Sequence, residues 1–321
     1  MTRRALAAAL AASLLAACGG GGGGGDGAGA ATTTSTTTAD PTTASTVPPT
    51  TAAPTTTAPV DVDALRPPAA AKDPAGLARQ IRDAEAVLRA RGRSDGDVAR
   101  AALAQQAAYR ALGDHPEWDA RVIGALPPGL ADPVHRHLAA RRELRALARR
   151  PADRMPAWRI VPPAPAARLV GWYKAAEAEF GVPWQDLAAV NLVETGLGRI
   201  RGTSTAGAQG PMQFLPSTWA AYGEGDINDP RQAIRAAARY LKANGAPGDI
   251  AGALWHYNHS DHYVRAVRLY AGLIGERPGA FAGFYHWGVW YWTTAGDLFL
   301  PVGYEATGNM PVDRYVSTAP R

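Results

Sequence analysis

Apolar residues recur with the period of an α-helix between residues 73 and 150. Four of them share one helical face at positions i, i+4, i+7 and i+11: Leu77, Ile81, Ala84 and Leu88. Six arginines stand near the end of this stretch: Arg136, Arg141, Arg142, Arg145, Arg149 and Arg150. We expect a helical segment whose arginines form a solvated face, with contact to an anionic lipid or polymer as the alternative. The pattern indicates no specific role for the segment.

Short helices with clear boundary residues are predicted for residues 164–276. Gly181 is expected to end one helix and Pro183 to begin the next, because these two residues favour those positions. Further helix starts are predicted at three later sites: Asp229, Asp249, and Ser260 or Asp261. This region is therefore predicted to be all-helical.

The pattern changes after Glu276, where two β-prone runs flank a turn. The segment VWYWTTAGDLFLPVGY predicts a β-hairpin within residues 277–321. We expect its aromatic residues to pack against the helices, and the alternative is that they line a binding groove. Trp219 and Trp255 are likewise expected in the core. The predicted fold class is mainly α, with an N-terminal helical segment, an all-helical domain and a short C-terminal hairpin region.

The beginning of the chain lacks the apolar periodicity of a folded domain. Two arginines precede an apolar run that is too short to span a membrane. The following LAAC resembles a bacterial lipobox, so residues 1–18 are predicted to be a lipoprotein-type signal peptide with Cys18 as the lipidated residue. The alternative is an ordinary secretory signal in which Cys18 occurs by chance. Residues 19–60, rich in Gly, Thr and Pro, are predicted to be a disordered tether.

Composition limits the possible partners. The 321 residues carry a net charge of +5, a mild excess that suits anionic polymers or lipid surfaces. The sequence contains no basic stripe interleaved with aromatic residues and no nucleic-acid motif, so we expect no nucleic-acid partner. Cys18 is the only cysteine, which excludes an internal disulfide framework. The sequence does not indicate an oligomeric state.

A single carboxylate stands at the end of an apolar helix. The predicted helix that begins at Pro183 is apolar on most sides, so Glu194 is expected to be buried in its last turn, just before Gly196. Apolar surroundings and the negative end of the helix dipole both raise the pKa of a carboxyl group. Glu194 is therefore a candidate general acid. The alternative is a glutamate that only reaches water at a helix end.

The loop after Glu194 is rich in small and neutral polar residues. The run RGTSTAGAQG allows the backbone to approach a ligand closely. Gln213, Tyr257 and Asn258 add neutral polar groups at predicted helix ends. Neutral donors and acceptors beside aromatic surface suit a sugar.

Three segments, VETGLGRIRGTSTAGAQGPMQFLPSTW, DINDP and YNHSDHYV, together resemble the soluble-lytic-transglycosylase domain of bacterial peptidoglycan lytic transglycosylases. The resemblance covers about residues 164–276. It implies a lysozyme-like fold and a lyase that cleaves the β-1,4 bond between N-acetylmuramic acid and N-acetylglucosamine. It also implies that Glu194, in the place of the family's Glu-Ser motif, is the single acid and base. The substrate's acetamido group then assists, and the products end in 1,6-anhydromuramic acid.

The resemblance assigns substrate contacts as well. Ser204 matches a serine that contacts the acetamido region, Gln213 matches the glutamine of the Gly-Leu-Met-Gln motif, and Tyr257 and Asn258 match a Tyr-Asn pair. The sequence departs from the family pattern in three places: Thr195 for serine, Pro211 for leucine, and NHSD for Asn-Ala-Gly. None of these departures removes the acid, and the family needs no cofactor.

A possible metal motif and two other functions compete with this interpretation. YNHSDHY approaches a His-x-His-x-Asp-His motif, but Tyr257 occupies the first ligand position, so we expect no metal. A hydrolytic muramidase on the same fold and a non-catalytic peptidoglycan-binding module stay open as alternatives. The implied location is the cell envelope, where a lipid anchor on Cys18 would hold the exported protein beside its partner, the glycan strands.

Overall fold

The computed structural model describes residues 60–276, 279–308 and 310–318. The predicted signal peptide with Cys18, and the predicted tether as far as residue 59, lie outside the described residues. Both therefore stay predictions.

Four α-helices form the first part of the described chain: α1 (Pro74–Arg89), α2 (Asp95–Gly113), α3 (Asp119–Gly124) and α4 (Pro128–Ala148). The side chains of Asp73 and Ser94 accept hydrogen bonds from backbone N–H groups three residues later, and so cap α1 and α2. Leu77 and Ile81 are fully buried in a core that these helices share. The helical period of this segment is thus confirmed.

Six further helices follow: α5 (Ala166–Phe180), α6 (Trp184–Thr195), α7 (Pro216–Tyr222), α8 (Pro230–Ala243), α9 (Ile250–Tyr257) and α10 (Asp261–Glu276). Gly181 ends α5 in the left-handed conformation with φ 74°. Asp229 and Asp249 each cap a helix by accepting a hydrogen bond from the N–H three residues later. Pro183, predicted as the first residue of α6, is instead its N-cap.

The chain ends with α11 (Ala280–His286), a hairpin and α12 (Val312–Thr318). Strand β3 (Val289–Thr293) pairs antiparallel with β4 (Gly296–Leu300), as predicted. A smaller antiparallel pair joins β1 (Arg159–Ile160) to β2 (Ile200–Arg201). The hairpin packs on the N-terminal helices, since the guanidinium of Arg110 lies 4.9 Å from the Trp290 ring centre and that of Arg145 lies 4.1 Å from the Trp292 ring centre.

The arginine cluster of α4 differs from the expected solvated face. Four of its six members make ion pairs with carboxylates of other elements or of the same helix: Arg136, Arg141, Arg142 and Arg145. Only Arg149 and Arg150, beyond the helix end, are exposed. Apart from Asp132, which lies four positions before Arg136, the partner carboxylates lie far away along the chain, so the sequence pattern could not show these ion pairs.

Helix α4 packs along α10, and ion pairs connect the two helices at both ends of this interface. Glu143 of α4 lies 2.8 Å from the Arg265 Nε atom and 2.6 Å from the His262 Nδ1 atom of α10. At the other end Arg136 pairs with Glu276. Between them, Ala140 of α4 lies in the same buried cluster as the apolar residues of α6, α8 and α10.

Within the described ranges the protein is mainly α, with twelve α-helices and two small antiparallel strand pairs. The described residues from Asp61 onward belong to one compact unit. The predicted boundaries at residues 73–150, 164–276 and 277–321 stay predictions about regions of the sequence. None of the helices described is both long enough and apolar enough to cross a bilayer.

Candidate active site

Glu194 lies in the last turn of a helix that is buried on all sides. Every residue of α6 from Asp186 to Thr195 is buried, and Glu194 itself is 2% exposed. The helix ends at Gly196, whose φ of 60° is left-handed and favours glycine. The chain therefore turns away directly after the acid and leaves it in the protein interior.

Tyr263 is the hydrogen-bond partner of Glu194. Its hydroxyl, at the start of α10, donates to the Glu194 Oε1 atom at 2.7 Å. Burial raises the pKa of Glu194 from 4.5 to about 8, and the Tyr263 hydrogen bond only partly opposes this rise. Glu194 is therefore mostly protonated at neutral pH, which is the form that can donate a proton.

Thr195, the residue after Glu194, connects the end of α6 to the following loop by hydrogen bonds. The Thr195 hydroxyl donates to the Pro211 carbonyl at 2.6 Å and accepts from the Gly198 N–H at 3.0 Å. The Asn191 amide donates to the same carbonyl at 2.8 Å. Thr195, which departs from the expected serine, thus keeps a hydrogen-bonded hydroxyl, and the Pro211 carbonyl oxygen accepts from both side chains.

Gln213 is held in a tight, strained turn. Gln209 and Phe214 exchange two backbone hydrogen bonds of 2.8 and 2.9 Å, and the turn between them brings Gln213 to a φ of 51°. A non-glycine residue pays about 1 kcal/mol or more for this conformation, and such strain concentrates at functional sites. The Gln213 amide donates to the Gly210 carbonyl at 2.9 Å, and Gln213 is buried.

Gly210 makes this turn possible. Its φ is 73°, and a Cβ atom at this position would lie 2.0 Å from the Ile227 carbonyl oxygen. Only glycine fits without movement of the backbone. The turn that carries Gln213 is thus packed directly against the segment before α8.

Tyr257 and Asn258 lie where α9 ends. The Tyr257 hydroxyl donates to the Met212 carbonyl at 2.7 Å, which ties α9 to the turn that carries Gln213. The Tyr257 ring stacks nearly parallel to Tyr263, with ring centres 6.4 Å apart. Asn258 is the C-cap residue of α9 and is buried. The structure therefore brings Glu194, Gln213 and Tyr257 into one connected group.

Ser204 lies in the loop between β2 and the turn. Its hydroxyl accepts a hydrogen bond of 3.0 Å from the Ala208 N–H, and its backbone N–H donates to the Ala208 carbonyl at 2.9 Å. A long contact of 3.5 Å from the Gln213 amide to the Gly202 carbonyl links this loop to the buried group. Ser204 is half-buried and thus lies at the margin of the group.

Tyr263 was missed by the sequence analysis. Tyr263 is fully buried in α10, whereas its neighbour Val264 is half-buried. The signal was present, because Tyr263, Ala266, Val267 and Tyr270 fall at i, i+3, i+4 and i+7. This stripe predicts that the phenol of Tyr263 lies on the buried face of α10.

Two other expectations about side chains near the site have different outcomes. Trp255, expected in the core, is 40% exposed and contacts the His259 ring at 4.5 Å, so that expectation was wrong. Trp219 packs against the core as expected. In the described part of the chain, no group of three or more His, Cys, Asp or Glu side chains is arranged to hold a metal ion.

A comparison with protein families gives one match. Residues 172–272 match the family model of the Transglycosylase SLT domain. A search of solved structures found no match. The matched stretch includes α6, the loop after it and α10 as far as residue 272, and therefore every member of the buried group. The match indicates a peptidoglycan-cleaving domain that acts outside the cytoplasm.

Proposed function

We propose that this chain, which carries a lysozyme-like transglycosylase SLT domain at residues 172–272, cleaves the β-1,4 bond between N-acetylmuramic acid and N-acetylglucosamine. The products would carry 1,6-anhydromuramoyl ends, which makes the enzyme a polysaccharide lyase. Glu194 would be its single acid and base. The family match supports lytic transglycosylase activity in general, and the geometry of the buried group supports the finer assignment.

The observation that carries the proposal is the burial of Glu194 at the end of α6, with the Tyr263 hydroxyl on its Oε1 atom. A general acid works best when its pKa lies near the operating pH. Burial raises the pKa of Glu194 to about 8, and Tyr263 holds the Oε1 atom. The carboxyl group is thus ready to donate a proton to the oxygen that leaves the muramoyl C1 atom.

The absence of a second acid favours a reaction without water. Glycosidases commonly use two carboxylates, one as acid and one as base or nucleophile. Among the described residues no other carboxylate affects the pKa of Glu194. Asp186, in the same helix, is instead paired with Arg268 at 2.9 Å. In the proposed reaction the substrate itself supplies the missing groups.

The proposed reaction balances within the sugar. Glu194 gives its proton to the glycosidic oxygen as the bond to C1 breaks, and the acetamido oxygen stabilises C1. The carboxylate then takes the proton of the muramoyl C6 hydroxyl while that oxygen bonds to C1. Glu194 ends protonated again, and no water is consumed.

Three polar side chains would hold the sugar for this attack. Gln213 belongs to the buried group, Asn258 is buried next to Tyr257, and Ser204 lies at the margin of the group. Their role would be to bring the acetamido oxygen and the C6 hydroxyl to an attack distance of about 3–3.5 Å from C1. Tyr257 would act indirectly, because its hydroxyl already bonds to the Met212 carbonyl.

Mass spectrometry of the products from purified glycan strands tests the reaction. Each fragment is expected to be lighter by one water than a hydrolysed fragment and to lack an end that borohydride reduces. Reducing ends on the products would instead identify a hydrolytic muramidase. No cleavage at all would identify a peptidoglycan-binding module.

Substitution of the acid tests its assignment. Glu194→Gln is expected to lower the rate by 10²–10⁴-fold or more, because an amide neither donates the proton nor accepts it. Ser204→Ala and Gln213→Ala are the matched controls, since they should slow cleavage without moving its pH optimum. A Glu194→Gln variant as active as the wild type would mean that another group is the acid.

We further propose the location and the anchor. An enzyme that cleaves peptidoglycan must reach the cell wall, and the LAAC sequence provides for lipidation of Cys18. The chain from residue 19 to residue 60 would then connect the anchor to the folded unit. The N-terminal helices, the SLT domain and the hairpin region would be successive regions of that unit.

A further inference from the structure

A cavity of about 100 Å³ lies on a different face of α6 from Glu194. Leu192 and Val193 of α6 form one side of it, and residues of α2, α4, α10 and the hairpin close the rest. Four aromatic side chains line its walls: Tyr109, Tyr270, Trp287 and Trp290. None of the residues that we place in the active site lines this cavity.

Three arginines converge at the edge of the cavity on a single carboxylate. Asp297 of β4 lies 2.7 Å from Arg110, 2.9 Å from Arg141 and 3.3 Å from Arg145. Asp114 also pairs with Arg141 and Arg145, at 3.1 and 2.9 Å. Three cations thus share two carboxylates, and the cluster keeps an excess of one positive charge.

The cluster also keeps hydrogen-bond donors that nothing satisfies. Arg110 Nε and Arg145 Nη1 are both buried and have no hydrogen-bond partner. His137, which also lines the cavity, has no partner for its Nδ1 atom, which donates or accepts depending on the tautomer of the ring. Buried polar groups are nearly always hydrogen-bonded, so unpaired donors at a cavity indicate a missing partner.

The charge balance agrees with this interpretation. Burial, with the repulsion from Arg141, lowers the pKa of Arg110 to about 9 although Asp297 opposes the change. A second anion at this place would relieve the repulsion between the guanidinium groups. It would also give the unpaired N–H groups an acceptor.

We propose that this cavity binds a small carboxylate with a short apolar body. Guanidinium groups match the geometry of a carboxylate, and the aromatic walls suit the carbon chain. Inorganic phosphate or sulfate fits less well, because its remaining oxygens would face aromatic rings. The size also fits, because an apolar cavity of roughly 150 Å³ accommodates benzene, so this one accommodates an acid of three or four carbons.

Titration of the full chain with propionate tests the proposal. Binding is followed by ligand-observed NMR, and propionamide serves as the uncharged probe of the same shape. Saturable binding of propionate in the millimolar range is expected, with propionamide at least tenfold weaker because it lacks the charge. Equal binding of the two probes, or no saturable binding of propionate, would overturn the proposal.

Variants locate the binding site. Arg145→Gln should weaken propionate binding about tenfold or more. Arg142→Gln is the matched control, because Arg142 lies on the same helix but pairs with Asp119 and does not line the cavity. Arg145→Gln also breaks ion pairs, so a second variant, Leu144→Phe, fills the cavity and leaves the charges in place. Propionate binding that survives Leu144→Phe unchanged would place the probe elsewhere and refute the assignment.

Discussion

Removal of the charge at position 194 is expected to make the protein more stable at neutral and alkaline pH. In Glu194→Gln the amide oxygen still accepts the Tyr263 hydrogen bond, but the side chain no longer titrates. The wild-type carboxyl must either stay protonated or place a negative charge in a buried site. The amide of the variant is uncharged at every pH, so the variant needs neither a bound proton nor a buried charge.

The size of the effect follows from the pKa of Glu194. The folded pKa of about 8 lies above the ordinary value of 4.5, so between these values the folded protein binds the proton more tightly than the unfolded chain. The stabilising contribution is fully present below pH 4.5 and is lost as the pH rises to about 8. At about 1.4 kcal/mol per pH unit, the loss approaches 4–5 kcal/mol, a large part of a typical total stability of about 5–15 kcal/mol.

Urea denaturation between pH 4 and pH 9 measures this difference. The free energy of unfolding of the wild type should fall relative to that of Glu194→Gln, and the gap should stop widening above about pH 8. The contributions of the other titrating groups to the pH dependence cancel in this difference because both proteins contain them. Parallel stability curves across this pH range would show that Glu194 has an ordinary pKa, and the argument for a protonated acid would fail.

Three further predictions concern the site and the anchor. Tyr263→Phe removes the hydrogen bond that lowers the pKa of Glu194, so the alkaline limb of the pH–activity profile should move to higher pH; an unmoved limb would argue against the contact. Gly210→Ala should abolish most glycan cleavage because its Cβ would meet a carbonyl oxygen, whereas Gly207→Ala, with similar left-handed φ but open space, should lose only about 1 kcal/mol of stability and keep its activity. Cys18→Ser should release the protein from membranes on fractionation; wild type that fractionates as soluble and incorporates no fatty acid would exclude the anchor.

Local features of the fold and site were predictable from short stretches of sequence. The apolar residues between Asp186 and Glu194 predicted a helix buried on most sides, and α6 is buried from Asp186 to Thr195. The caps at Asp229 and Asp249 follow from side chains that compete for backbone N–H groups, and they formed as predicted. These interactions involve residues three or four positions apart, so the local pattern contains both partners.

Contacts between distant segments were not predictable in the same way. Tyr263 and Glu194 are 69 positions apart, and Arg141 and Asp297 are 156 positions apart. A helical pattern shows which face is polar, but it does not show which element packs against that face. The arginines of α4 were therefore expected in solvent, although the hairpin supplies Asp297, the carboxylate that pairs with Arg141 and Arg145.

The packing of α4 along α10 bears on how this protein can evolve. The family match begins at residue 172 and ends at residue 272, yet Ala140, Phe281 and Phe284 belong to the same buried cluster as the helix that carries Glu194. The matched stretch is thus smaller than the stretch of chain that builds its buried cluster. Recombination at the edges of the match would expose apolar surface on both fragments. We therefore expect a functional transfer of the domain to another protein to require the neighbouring helices as well.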